Sequence, residues 1–478
     1  MFLNRMFLNR IANSRTADPV LVAVVMAATL MLLLVACTAS VPTTPEPAPA
    51  EPTAAAPVPV ATPAGDQTTL IVQFDATHAT VRKIDFTEPI SGLALLEQSG
   101  LDVVKADFDW GTAICSIEGV GCPAEDCFCS EDTFWSYHYW ENGSWVGYPV
   151  GPAQSLISTT NTVEGWRWGG GDASLVQPDR AEAAHDALTW LRAQQVITDG
   201  SYGSSAGATI ESLFALSANH EDATAWRPAP DAPSILDFML EHGAEYSQEG
   251  VSEAGKLAVA LAAADACWPA DALAPSDYYS PTVGALHTDA GRLAWGILGT
   301  LALDEPAPAD SVEYLLNLAL PEGGWEWTPE WGRDTNTTAL AIQALVAAGT
   351  PLTHTAIVSA QQFLQEAQTP EGGFSYDPAG TWGDVADANS TAYVLQALAA
   401  LESGTEDSTL DNALDNTVQE MSNGAVDFLL GLQGDDGGIG WQIEQPAANL
   451  AATQQAIPAL LGQPYPIRRA ALPICEAP

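Results

Sequence analysis

The side chains best suited to chemistry gather in three stretches, PEGGWEWTPEWGRDTN, PEGGFSYDPAGTWGDVADAN and the shorter DGGIGWQ. Together they carry Trp325, Trp327, Trp331, Phe374, Tyr376, Trp382 and Trp441, with Asp334, Asp387 and Gln442. Flat aromatic faces mixed with a few amides and carboxylates suit a large planar or ring-bearing ligand, so these residues form the candidate binding set. Glu322, Glu326, Glu330, Asp334, Asp384 and Asp387 could also supply an acid and a base for glycan cleavage. The competing reading is structural. Asp334 and Asp387 would then cap helices, the glutamates would be solvated loop charges, and about half of the aromatics would be plugs between packed elements. His287, in GALHTDAG, is the loop imidazole best placed to ligate a metal ion.

These stretches stand in front of a repeated element. DTNTTALAIQAL, Asp334 to Leu345, returns 53 residues later as DANSTAYVLQAL, Asp387 to Leu398. Weaker copies are SAGATIESLFAL, GVSEAGKLAVAL, TDAGRLAWGILGTL and NLAATQQAIPAL, which makes six. Each is Ala-rich and apolar on nearly every side, the composition of a helix buried among neighbours. Asp, Ser or Asn at the front of several copies are N-caps. Amphipathic segments such as AEAAHDALTWLRAQQ, APSILDFMLEHG and TAIVSAQQFLQEAQ alternate with them and belong outside. PADALAPSDYYSPT, where the third outer helix is due, reads poorly as one. Six hairpins predict a closed (α/α)6 toroid over residues 181–478, with an open solenoid as the alternative.

Residues 67–170 read differently. TTLIVQFDA, SWVGYPV and TVEGWRWGG are strands, and ISGLALLEQSG is one short helix. DTFWSYHYWENGSWVGYPV sets Trp135 and Tyr137 on a hairpin turning at Asn142-Gly143, where a type I′ turn fits, and both join the candidate binding set. The expected fold is therefore multidomain and mainly α, the toroid preceded by a small α+β domain.

The ends and cysteines imply export. Arg5, Arg10 and Arg15 precede an apolar run that closes on Leu34-Val35-Ala36-Cys37. Residues 1–36 read as a lipoprotein signal with Cys37 as the lipidated residue, against the alternative of an uncleaved anchor. Residues 37–66, rich in Pro, Ala and Thr, read as a tether. The expected place is outside the cytoplasmic membrane, held by lipid. Cys115, Cys122, Cys127 and Cys129 could form a zinc knuckle, but in an oxidising compartment two disulfides are expected. A Cys127–Cys129 pair is awkward, so each should reach Cys115 or Cys122. Cys267 and Cys475 should pair and tie the chain end to the repeats. A net charge of −45, from 60 acidic against 15 basic residues, excludes nucleic acid as a partner.

FLQEAQTPEGGFSYD and FLLGLQGDDGGIGW resemble the repeats of the terpene cyclase and protein prenyltransferase superfamily. The order strand, GLALLEQSG helix, Trp-x-Tyr strand, Asn-Gly turn and Gly-x-x-x-Trp resembles the small β-domain of the cobalamin carriers. Here that domain precedes the toroid, reversing the carriers' order, and CSIEGVGCPAEDCFC is additional. Squalene-type cyclases use an Asp-x-Asp-Asp run, and GDVADAN and GDDGG have the wrong spacing. Prenyltransferases use an Asp-x-Cys zinc pair, but Asp265-Ala-Cys267 follows its inner helix instead of opening one. The resemblance therefore implies no catalytic residue and no required cofactor. It implies a cobalamin or other corrinoid held between ring and β-domain, with His287 as a ligand to cobalt. The other expectations are a surface adhesion or carbohydrate-binding module meeting a surface glycan, and an (α/α)6 glycan-active or terpene cyclase-like enzyme.

Overall fold

A computed structural model describes residues 66–170, 175–380, 383–403, 412–467 and 472–475. The leader, Cys37, the tether and Trp382 lie outside the described residues. All the described elements belong to one compact unit, Ala64–Pro478.

The N-terminal part is built on a five-stranded sheet of β1 (Asp66–Gln73), β2 (Ala79–Phe86), β7 (Phe134–Glu141), β8 (Ser144–Gly147) and β10 (Thr162–Gly169), in the order β2-β1-β10-β7-β8. β1 and β10 run parallel, with Leu70 opposite Glu164 and Val72 opposite Trp166. Successive side chains of a strand point to opposite faces. Leu70, Val72 and Phe74 accordingly face a core of Leu95, Leu96, Trp135, Tyr137 and Trp166. Ile71, with Ala79 and Val81 of β2, turns the other way and joins the helical core. Both faces are covered, which explains why LIV in β1 is continuously apolar. Asn142 and Gly143 have φ of 52° and 80°, as a type I′ hairpin requires.

A short pair, β3 (Ile90–Ser91) with β9 (Leu156–Ile157), flanks α1 (Gly92–Gln98). Three strands unread in the sequence, β4 (Val103–Phe108), β5 (Gly111–Ile117) and β6 (Val120–Gly121), form a separate antiparallel sheet. The four clustered cysteines close onto it as Cys115–Cys127 and Cys122–Cys129. Their sulfurs are joined to one another, which replaces the zinc-knuckle alternative.

The helical part is a closed ring. Its inner helices are α3 (Ala206–Ala218), α5 (Val251–Ala263), α6 (Ala290–Ala302), α8 (Thr335–Ala347), α10 (Ala388–Ser403) and α12 (Leu450–Leu460). Each packs on the next in chain order, and α12 packs back on α3, which decides against the open solenoid. α2 (Pro178–Ala193), α4 (Ile235–Ser247), α7 (Ala309–Asn317), α9 (Thr355–Ala367) and α11 (Asn412–Gly431) lie outside. Where a sixth outer helix was due there is only a 3-10 turn at Pro275–Tyr278. Pro269, Pro275 and Pro281 remove the backbone donors a helix would need there. The expected Cys267–Cys475 bridge forms beside this segment.

The repeated Gln and Gly residues seal neighbouring hairpins. Gln368 Nε2 donates to its own loop at Gly372 O (2.8 Å) and to the next outer helix at Met421 O (3.0 Å). Gln433 Nε2 does the same to Gly437 O (2.9 Å) and Ala183 O (2.8 Å), so the last repeat grips the first. Gly372 has φ of 89°, and a Cβ there would lie 2.4 Å from Gly424 O, so only glycine fits. The ring's axis is filled near its far end by Tyr465, seated 4.9 Å from Phe214 and 5.0 Å from Trp295. Its backbone N–H donates to Gln343 Oε1 (2.8 Å).

Candidate functional site

The ring has two unlike rims. At the N-terminal ends of the inner helices lie the aromatic loops singled out in the sequence. Trp325 is fully buried and its Nε1 donates to Leu315 O (2.8 Å), so it plugs the hairpin interior and offers no face to a ligand. Trp327 covers Gly291 at the start of α6, where a Cβ would meet its ring at 2.1 Å. In the next two repeats, Tyr376 lies against Asp334, its carbonyl accepting from Thr335 N (3.1 Å), and Trp441 lies against Asp387. One position therefore serves one purpose three times: an aromatic from each repeat clamps the start of the preceding inner helix. Gln442 accepts from Gln445 Nε2 (3.1 Å) within the hairpin of β11 (Gly440–Gln442) and β12 (Gln445–Ala448). Among the described members of the set, Trp331 is the exposed one, at 54%.

The aspartates are caps. Asp334 Oδ1 accepts from Thr337 N (2.7 Å) and Asp387 Oδ1 from Ser390 N (2.9 Å). Burial pushes the Asp334 carboxyl up to about 6, against the pull of the Thr337 donors. Burial also raises Asp387, again opposed by Ser390. His287 acts locally too. Its Nδ1 accepts from Asp289 N (2.9 Å), and burial lowers its proton affinity. Trp135 and Tyr137, the β-domain members of the expected set, belong to that domain's core. Trp135 Nε1 donates to Val120 O (3.0 Å), and Tyr137 stacks on Trp166 at 4.7 Å. The Tyr137 and Tyr148 hydroxyls both donate to Glu164 Oε2, at 2.8 and 2.9 Å. Burial raises the Glu164 carboxyl to about 7 in spite of these donors.

The β-domain sits on the other rim, at the C-terminal ends of α3 and α12. Asn219, just past α3, accepts from Val81 N through Oδ1 (2.8 Å) and donates to Val81 O (3.2 Å), pairing with β2 as a strand would. Arg82 donates to Asn219 O (2.8 Å) and His220 O (2.9 Å), and Ala79 N donates to Leu461 O (3.0 Å). A sandwich between the aromatic loops and the β-domain is therefore not what the chain builds, because the two lie at opposite ends of the ring.

What it builds is a cleft of about 1150 Å³ between the β-domain and the C-terminal rim. One wall is a slipped stack of three rings, Phe74, His78 and His220, with centroids 4.9 to 5.3 Å apart. Asp75 fixes this wall, accepting from Thr77 N (2.8 Å) and His78 N (2.7 Å). His78 Nε2 lies 3.1 Å from Ala218 O. Facing them are Arg167 and Trp168 of β10 and the β5–β6 turn, whose Glu118 reaches His220 Nδ1 at 3.2 Å. Asp265, Gln463 and Ile467 complete the lining. The disulfide-braced insertion thus supplies a wall of the cleft. Among the described residues no group of three or more His, Cys, Asp or Glu is placed to hold a metal ion.

Residues 293–462 match the prenyltransferase alpha-alpha toroid domain. Several solved structures are similar to the chain. They include a variant of the type II terpene cyclase from Scytonema with geranylgeranyl dihydroxybenzoate bound, 14% identical over 59% of this chain and 97% of that one, TM-score 0.39. A polysaccharide lyase is 12% identical over 59% and 97%, TM-score 0.34. A possible GH105 family member from Salmonella enterica serovar Paratyphi A is 10% identical over 60% and 94%, TM-score 0.35. No curated protein matches the chain. The toroid match begins in α6 and ends just past α12, so it leaves the β-domain and the first wall of the cleft outside it.

Proposed function

We propose that this protein captures a large ring-bearing ligand in the cleft between the β-domain and the toroid, and that a corrinoid is the class that fits best. The cleft itself carries the reading. Pockets for drug-sized molecules run to roughly 1,000 Å³, and this one is larger. Trp168, and His220 backed by the buried Phe74 and His78, supply aromatic surface for a planar macrocycle. Arg167, Glu118, Asp75 and Gln463 ring those faces with donors and acceptors suited to peripheral amides. Both imidazoles in the cleft are engaged, His78 with Ala218 O and His220 with Glu118, which favours holding the ligand by its face and edge. His287, on the far rim, is not part of this site. In the same proposal a lipid on Cys37 holds the protein at the outer side of the cytoplasmic membrane, with residues 37–66 as the tether.

Calorimetric titration with cobalamin and with cobinamide tests the ligand. One site of submicromolar affinity is expected, with a shift in the corrin absorption. No heat and no spectral change at high micromolar ligand would remove the corrinoid from consideration. Metabolic labelling with a fatty acid, compared between wild type and Cys37→Ser, tests the anchor.

A further inference from the structure

We propose a second site, on the insertion and away from the cleft: Phe108, Trp110 and Phe128 form a platform for the pyranose rings of a neutral or amino-bearing glycan. The three rings are exposed by 39%, 66% and 51%. They nevertheless hold one another in order. Phe108 and Trp110 lie within 4° of parallel at 5.1 Å, and Phe128 leans on both, at 5.5 and 6.3 Å. Exposed aromatics usually scatter singly, so a mutually packed cluster in water calls for a partner. Its support is stiff. Phe108 ends β4 and Trp110 turns into β5, while Phe128 stands between Cys127 and Cys129, each bound by a disulfide to the β5–β6 segment. The turn Ala124–Asp126 packs against β4, which brings Glu125 and Asp126 to the same side.

Area and charge select the occupant. At ~200 Å² per aromatic side chain, the three rings expose on the order of 300 Å². A specific protein interface needs about 800 Å² per partner, so the patch is too small to be one alone. Asp109, Glu125 and Asp126 are exposed beside it. Those three carboxylates, on a chain of net charge −45, repel an anionic bilayer. A sugar meets both halves of the patch. Its axial C–H groups stack on the indole and phenyl faces, and its hydroxyls donate to the carboxylates. An ammonium on an amino sugar would pair with them. The exposed Gln154 amide adds a donor beside Trp110, 3.7 Å from where a Gly111 Cβ would stand.

The test uses the full-length protein with two pentasaccharides, cellopentaose and the β-1,4-linked pentamer of glucosamine, read by calorimetry and tryptophan fluorescence. At least one should bind, and Trp110→Ala should weaken it by about tenfold or more, the scale of one lost aromatic stack. Trp110→Phe should retain binding within about threefold, because a flat face remains. Phe128→Ala is the second truncation, and circular dichroism checks that each variant folds. Absence of binding at millimolar sugar overturns the proposal. So does binding that neither Trp110→Ala nor Phe128→Ala weakens. Trp110-dependent sedimentation with phosphatidylglycerol vesicles, in place of sugar binding, would show a membrane contact and overturn it as well. The corrinoid titration is independent of Trp110, so failure of one reading leaves the other standing.

Discussion

Around the N-terminal rim of the ring, aromatic side chains hold the protein together; around the C-terminal rim, they are left facing a cavity. Trp325 plugs its own hairpin, and Trp327, Tyr376 and Trp441 each clamp their hairpin to the preceding one. Phe74, His78, His220 and Trp168 line the cleft between β-domain and ring. The same residue types do opposite things because of what covers them. At the first rim the covering element is the next copy of the repeat, which arrives with complementary shape. At the second it is a different domain, hinged on polar contacts from Asn219 and Arg82, and its fit leaves a gap.

That contrast can be broken most sharply at Trp325. Trp325→Ala should cost about 4 kcal/mol of stability in urea unfolding, the range for truncating a buried tryptophan, and should leave the corrinoid titration of the folded protein unchanged. A variant as stable as wild type would show that the rim aromatics are not structural. The β-domain is sharpened by pH. Glu164 has a folded value near 7, above its ordinary 4.5, so the folded state holds that proton more tightly than the unfolded chain. The resulting stabilisation is present in full below the ordinary value and is lost as pH rises through 7. Between pH 4.5 and 8 it should amount to about 2–3 kcal/mol, and Glu164→Gln should flatten that slope.

A smaller effect is expected at the cleft. Trp168→Ala should weaken corrinoid binding by about tenfold, near 1.4 kcal/mol, whereas His287→Ala should leave the titration unchanged. The reverse pattern would return the site to the other rim. The smallest is at the cap. Asp334, raised to about 6, loses its burial-linked stabilisation as pH climbs past that value. Asp334→Asn keeps a capping oxygen without the charge, and at pH 7 it should be more stable than wild type by about 1 kcal/mol.

Local physics made the ring legible. The period of the Ala-rich copies, the Asp and Asn in front of them and the Gln-Gly-Gly loops each act within a few dozen residues, and all six inner helices appear where those signals place them. The missing outer helix was announced by its prolines. The cleft was not legible, because it depends on contacts between distant residues, such as Asn219 with Val81, 138 positions apart. Nor does a tryptophan's surroundings in sequence tell plug from platform. Trp325 is fully buried and Trp331 half exposed within the same loop. His78 and His220 each stand just past an apolar run, which was the available clue. What lay beyond reach was that a domain folded from residues before the ring would cover that end.

Tyr465 has one more bearing on how the protein would work. With its ring seated against both Phe214 and Trp295, Tyr465 makes the toroid a stoppered vessel and not a pipe. Gln463 and Ile467, on either side of the stopper, form part of the cleft. Tyr465 sits across the ring's axis, so in the proposed reading a ligand would enter at the flank where sheet and ring face each other. Loading and unloading would follow the same route in opposite directions, and whatever loosens the seam at Asn219 and Arg82 would set the pace of both.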